Sequence, residues 1–75
     1  MLQLYQTAGS SNCQRVRIVL AEKDLVAESH ILQPGEQHTP EFRTLSPTGT
    51  VPVLVDDGDA LFDSVVINEY LDDAY

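Results

Sequence analysis

Apolar and polar residues change their spacing several times along the 75-residue chain, and each change marks a new element. Leu2-Gln3-Leu4-Tyr5 alternates with period two, the pattern of a short strand, and Thr7 to Asn12 is a loop rich in small and polar residues. From Cys13 to Lys23 the apolar residues Val16, Val19 and Leu20 fall at helical spacing. Ser10, Ser11 or Asn12 can cap that helix, and Arg15 and Arg17 are expected to point outward. Ala27 to Leu32 reads as a second strand ended by Gln33-Pro34-Gly35. A helical crossover between two strands implies that they run parallel. Thr39-Pro40 has the form of an N-cap followed by proline at the first helical position, which opens a short helix over Glu41 to Leu45. Val51 to Val55 and Ala60 to Phe62 are strand-like, and the Asp-Gly step between them predicts an antiparallel hairpin. Asp63-Ser64 then caps a last helix whose apolar face holds Val66 or Ile67, Tyr70, Leu71 and Ala74. The predicted order is βαβαββα: an α/β sandwich with a mixed four-stranded sheet flanked by three helices, one domain over residues 1–75.

Composition narrows what such a domain can do. At this length folding buries only about 60% of the surface that the unfolded chain exposes, so the core is small. Cys13 is the single cysteine, which excludes an internal disulfide, and His30 and His38 lie too far from it in sequence to resemble a metal cage. A reducing, cytoplasmic setting is expected. No apolar run approaches the roughly 20 residues of a membrane-spanning helix. The formal net charge is −8, with only Arg15, Arg17, Lys23 and Arg43 to set against twelve acidic residues. No basic stripe exists to neutralise a phosphate backbone, so neither nucleic acid nor membrane is an expected partner. The acidic balance also repels anionic ligands, so an anion site here must rely on locally aimed donors.

Three stretches carry a resemblance: Ser10-Ser11-Asn12-Cys13-Gln14-Arg15-Val16-Arg17-Ile18-Val19-Leu20, then Gly49-Thr50-Val51-Pro52-Val53-Leu54, then Asp63-Ser64 ahead of Glu69-Tyr70-Leu71. In this order they resemble the thioredoxin-like N-terminal domain of glutathione transferases, over essentially the whole chain. The first stretch is most similar to zeta-class and bacterial transferases, and also to the stringent starvation protein family. The resemblance implies a thioredoxin-like fold and glutathione as a co-substrate with no tightly bound cofactor. It also implies a small electrophilic second substrate, a homodimer for the full-length protein, and a helical C-terminal domain that is not part of these 75 residues.

The resemblance also assigns roles. Ser10 stands where a hydroxyl at the start of a helix donates to the sulfur of glutathione, in an environment that favours negative charge. Ser11 is its nearest rival. Cys13 stands at the second cysteine of a Cys-x-x-Cys pair whose first member is missing, so it is expected to pack inward as a small apolar residue. Tyr5 is a further candidate thiolate donor, against the plainer reading of a strand aromatic packing on the sheet. Val51-Pro52 is expected to contain a cis bond and to offer the Val51 backbone to the cysteinyl part of glutathione. Asp63 and Ser64 are expected to take the γ-glutamyl ammonium and carboxylate, a role compatible with simple helix capping. The resembled families often carry a basic or amide residue before the valine-proline pair for the glycine carboxylate; here it is Thr50, with Gln37 or His38 as substitutes. Arg15 and Arg17 read as a solvated helix face.

Two functions fit. One is a glutathione transferase or glutathione-dependent isomerase, of which the 75 residues alone are expected to show little turnover. The other is a protein-interaction module of the stringent starvation type whose glutathione site has lapsed, a reading that Thr50 favours. A monothiol redox role for Cys13 is a third.

Overall fold

The computed structural model describes all residues from Met1 to Tyr75. The elements are β1 (Leu2–Gln6), α1 (Ser11–Glu22), β2 (Ala27–Ile31), α2 (Pro40–Arg43), β3 (Val53–Asp56), β4 (Asp59–Phe62) and α3 (Ser64–Ala74). The order is the expected βαβαββα, and the fold is thioredoxin-like. The strands form one sheet in the order β2-β1-β3-β4. β1 pairs with β2 in parallel and with β3 antiparallel, and β3 pairs with β4 antiparallel.

Boundaries differ from the sequence reading where local chemistry decides them. α1 begins at Ser11 rather than Cys13, because Ser10 is the N-cap in extended backbone and its Oγ accepts from the Cys13 amide. β3 begins at Val53 rather than Val51, after Pro52, which has no N–H to give a ladder. A single 3₁₀ turn over Glu36–His38 was not expected, since three residues are too short to leave a periodic signal. The β3–β4 connection is the two-residue turn Asp57-Gly58, both at positive φ (50° and 91°), as the Asp-Gly step predicts.

The sheet separates two apolar layers. On one face Leu2 and Leu4 of β1, Val16 and Leu20 of α1, Leu54 of β3, and Ile67 and Leu71 of α3 pack together. On the other, Leu32, Phe42, Val53 and Val55 pack with the half-buried Tyr5, Leu45 and Val51. Strand β3 supplies both layers through its alternation, which explains why Val53, Leu54 and Val55 are all buried. On α3 the core position is Ile67; Val66 and Ala74, also offered by the periodicity, face solvent. The inward row of β1 ends in a buried polar residue, Gln6. Its amide nitrogen donates to Ser29 Oγ at 2.6 Å and its carbonyl oxygen accepts from Arg17. The buried amide is thereby satisfied, and Arg17, exposed as expected, also ties α1 to the sheet.

Strand direction sorts the loops onto two rims. The end of β1, the start of β3 and the end of β4 share one rim, because β3 runs against both neighbours. Loop 7–10, the Val51-Pro52 step and the Asp63 turn therefore meet there. The opposite rim carries Met1 and the Asp57-Gly58 turn, joined by an ion pair of 2.8 Å between the Met1 ammonium and Asp57 Oδ1.

Candidate functional site

On the first rim an open cleft of about 490 Å³ is lined by Asn12 and Arg15 of α1, Thr48, Thr50 and Val51 of the loop before β3, and Phe62, Asp63, Ser64 and Val65 at the β4–α3 junction. Three segments far apart in sequence thus contribute to one concavity. Of the residues singled out from the sequence, Thr50, Val51, Asp63 and Ser64 line it.

Each segment has a local reason for its shape. α1 starts where Ser10 caps it: Oγ accepts from the Cys13 N–H at 3.4 Å, and the Ser10 carbonyl accepts from Gln14 N–H at 3.1 Å. Ser10 is half-buried beside the cleft, and Ser11 is exposed on the first turn. The second segment is built on hydroxyls. Ser46 is fully buried, its Oγ accepts from the Thr50 N–H at 3.1 Å, and the Thr48 and Thr50 hydroxyls are 2.8 Å apart. Gly49 between them has φ +69°, and a Cβ there would lie 3.1 Å from the Gln37 carbonyl oxygen. Val51-Pro52 is cis, and the Val51 amide and carbonyl take part in none of the turn, loop or cap hydrogen bonds.

The third segment turns on Asp63, the N-cap of α3, with φ 78° and ψ 121° and its Oδ1 accepting from Val65 N–H at 2.9 Å. An aspartate in that backbone region is strained by about 1–3 kcal/mol. Ser64 follows it, 7% exposed, with no side-chain hydrogen bond inside the chain.

The electrostatics of the cleft run against those of the molecule. Two helices of eleven and twelve residues begin at it, and neither has an acidic residue in its first turn. Their N–H groups and dipoles therefore present partial positive charge. Arg15 is the only cationic and Asp63 the only anionic side chain in the lining.

The remaining candidates lie elsewhere. Cys13 is fully buried among the core-facing residues of α1. Tyr5 stacks on His30 with ring centroids 4.5 Å apart, meets Phe42 edge-on, and lines a separate recess with Leu32, Glu36 and Thr39 on the other side of the sheet. His38 is exposed at the end of the 3₁₀ turn and lines no cavity, while Gln37 lines a different recess with Thr7 and Pro34. Sequence reasoning gave Asn12 only a capping role and Thr48 none, and it read Arg15 as a solvated helix face; Arg15 is exposed, and it also lines the cleft. The helical spacing of Asn12 and Arg15, three residues apart on one face, was the available signal.

No helix is long and apolar enough to cross a membrane. A family profile described as "Glutathione S-transferase, N-terminal domain" matches residues 4–75. The chain is 45% identical, over 99% of its own length and 36% of the relative's, to a probable maleylacetoacetate isomerase of Vibrio cholerae. It is 37% identical, over 100% and 35%, to a stringent starvation protein A homolog of Pasteurella multocida. Among solved structures, the glutathione transferase URE2P6 of Phanerochaete chrysosporium in complex with oxidized glutathione superimposes with a TM-score of 0.94 at 35% identity, covering 99% of this chain and 36% of that one. The chain thus spans about a third of the length of the proteins it matches.

Proposed function

The chain belongs to the glutathione S-transferase N-terminal domain family, and from that premise we propose that its cleft binds glutathione and holds the sulfur as a thiolate for attack on an electrophile or for isomerisation. The observation that carries this reading is the meeting of the α1 start, Val51 and the Asp63-Ser64 cap in one cleft. In it, the Val51 amide and carbonyl pair with the cysteinyl backbone as an added strand would. Ser64 and the first amides of α3 take the γ-glutamyl carboxylate, and Asp63 takes the ammonium. Ser10, with Ser11 as its rival, donates to the sulfur, and the positive end of α1 favours the charged form. The thiol proton leaves to solvent, the thiolate forms a carbon–sulfur bond to the electrophile, and the electrophile's leaving group departs with the electron pair. Positioning of the electrophile supplies much of such catalysis, and we assign that part to residues beyond these 75. Tyr5, Cys13 and His38 have no role in this scheme.

One observation favours the second reading, an interaction module of the stringent starvation type. The Thr50 hydroxyl is engaged with Thr48 in its own loop, so it is poorly placed to replace the basic or amide residue that reads the glycine carboxylate. A titration with glutathione followed by amide shifts separates the two. Saturable shifts at Val51 and Ser64 are expected for a glutathione site; unmoved resonances at millimolar ligand would leave the interaction module.

A further inference from the structure

Of the four basic side chains, three are engaged within the chain. Lys23 Nζ pairs with Asp72 at 3.2 Å, Arg17 donates to Gln6, and Arg43 donates to the Pro47 carbonyl at 3.2 Å. Arg15 has neither an ion-pair nor a hydrogen-bond partner, although the chain carries twelve carboxylates. It is exposed on the second turn of α1, and it lines the cleft with Ser64 and Val65 of α3. Ser64 is more than nine-tenths buried, and its hydroxyl also lacks a partner. The only carboxylate of the lining, Asp63, already accepts from Val65 N–H. An unpaired guanidinium, an unpaired hydroxyl and the N-termini of two helices therefore surround one volume, and every one of these groups gains from an anion placed there.

We propose that Arg15 is a specificity-determining residue, forming with Ser64 and the first amides of α3 a receptor for the α-carboxylate of the ligand's γ-glutamyl group. The assignment rests on the glutathione reading above. The α3 end of the ligand is selected over the sulfur end because Arg15 shares the lining with Ser64 and Val65, whereas Ser10 lies outside it. The planar guanidinium fits a carboxylate through two parallel N–H donors, which a thiolate cannot match. It compensates locally for the repulsion that the net charge of −8 imposes on an anionic tripeptide.

The test is a calorimetric titration with glutathione and with an analogue whose γ-glutamyl α-carboxylate is converted to a primary amide. The wild-type chain is expected to prefer glutathione, and Arg15→Gln to weaken glutathione about tenfold or more while leaving the amide analogue unchanged. Arg15→Lys, which keeps the charge but not the two-pronged geometry, is expected to lose less, and it applies the same comparison should the Gln variant fold poorly. Equal weakening of both ligands would move Arg15 to another group of the ligand and overturn the assignment, as would a variant that binds glutathione like the wild type. Failure of the wild-type chain to bind glutathione at all would instead overturn the glutathione reading on which the assignment stands.

Discussion

The Tyr70 hydroxyl donates to Asp56 Oδ2 at 2.5 Å, and Tyr75 donates to the same oxygen at 2.9 Å, so the second half of α3 is fastened to the end of β3. The two hydroxyls hold the Asp56 carboxyl below its ordinary 3.8, Tyr70 first and Tyr75 second. The carboxylate in turn pushes Tyr70 from 10.0 up to about 12 and raises Tyr75. The acid contribution is present above 3.8 and is lost as pH falls through the depressed folded value. The tyrosine contribution is complete below 10.0 and is lost as pH rises through about 12. Urea unfolding midpoints against pH should decline on both flanks, and Tyr70→Phe should flatten both, leaving on each a remnant from Tyr75. An unchanged profile in the Phe variant would contradict the linkage.

Gly49→Ala should destabilise the fold by about 1–3 kcal/mol, since alanine is strained at positive φ. The new methyl would also meet the Gln37 backbone oxygen, which cannot move aside as the Arg43 guanidinium can. Denaturant titration measures the loss, and amide shifts at Thr48 and Thr50 should report it at the cleft.

Ser10→Ala separates capping from chemistry. The cap bond is long at 3.4 Å, so the stability cost should fall near the low end for lost caps, about 0.5 kcal/mol. On the proposed reading, in which Ser10 donates to the thiolate, its loss should lower kcat/KM for glutathione conjugation by about 10–100-fold. Ser10→Asp, which keeps an acceptor for the cap but has no donor for the sulfur, should recover the stability and not the rate. Full activity in the Ala variant would assign the sulfur contact to another residue, with Ser11 next in line.

Asp63→Gly should spare the fold and weaken the ligand. Glycine accepts φ 78° freely and caps nearly as well as aspartate, so stability should stay within about 0.5 kcal/mol of wild type. On the proposed reading, which assigns the Asp63 carboxylate to the ammonium of glutathione, affinity for glutathione should fall about tenfold. A stable variant with unaltered affinity would reduce Asp63 to a cap.

The elements were legible because each carries its own punctuation: Ser10 and Asp63 as caps, Thr39-Pro40 at a helix start, Asp57-Gly58 at a hairpin. The two-faced burial of β3 was legible in its unbroken Val53-Leu54-Val55 run. What could not be read was which outward residues share a concavity, because that depends on the rotation of α1 relative to α3. Arg15 and Arg17 differ by two positions and look alike in sequence, yet one lines the cleft and the other reaches back to Gln6. Gln6 breaks the apolar row of β1, and its buried bond to Ser29 spans 23 positions, beyond the reach of any local pattern. Tyr5 and Ser10 are close in sequence, but strand alternation sends the tyrosine to the far face of the sheet.

The two rims also divide the molecule for practical handling. A fluorophore, surface tether or short peptide graft placed in the Asp57-Gly58 turn would sit at the end of the sheet opposite the cleft, with the length of the strands between them. It would release the exposed Met1–Asp57 ion pair, and the residues that carry it must still accept the positive φ of the turn. The hairpin thus offers a place from which to watch or immobilise the domain while ligand is exchanged at the other end.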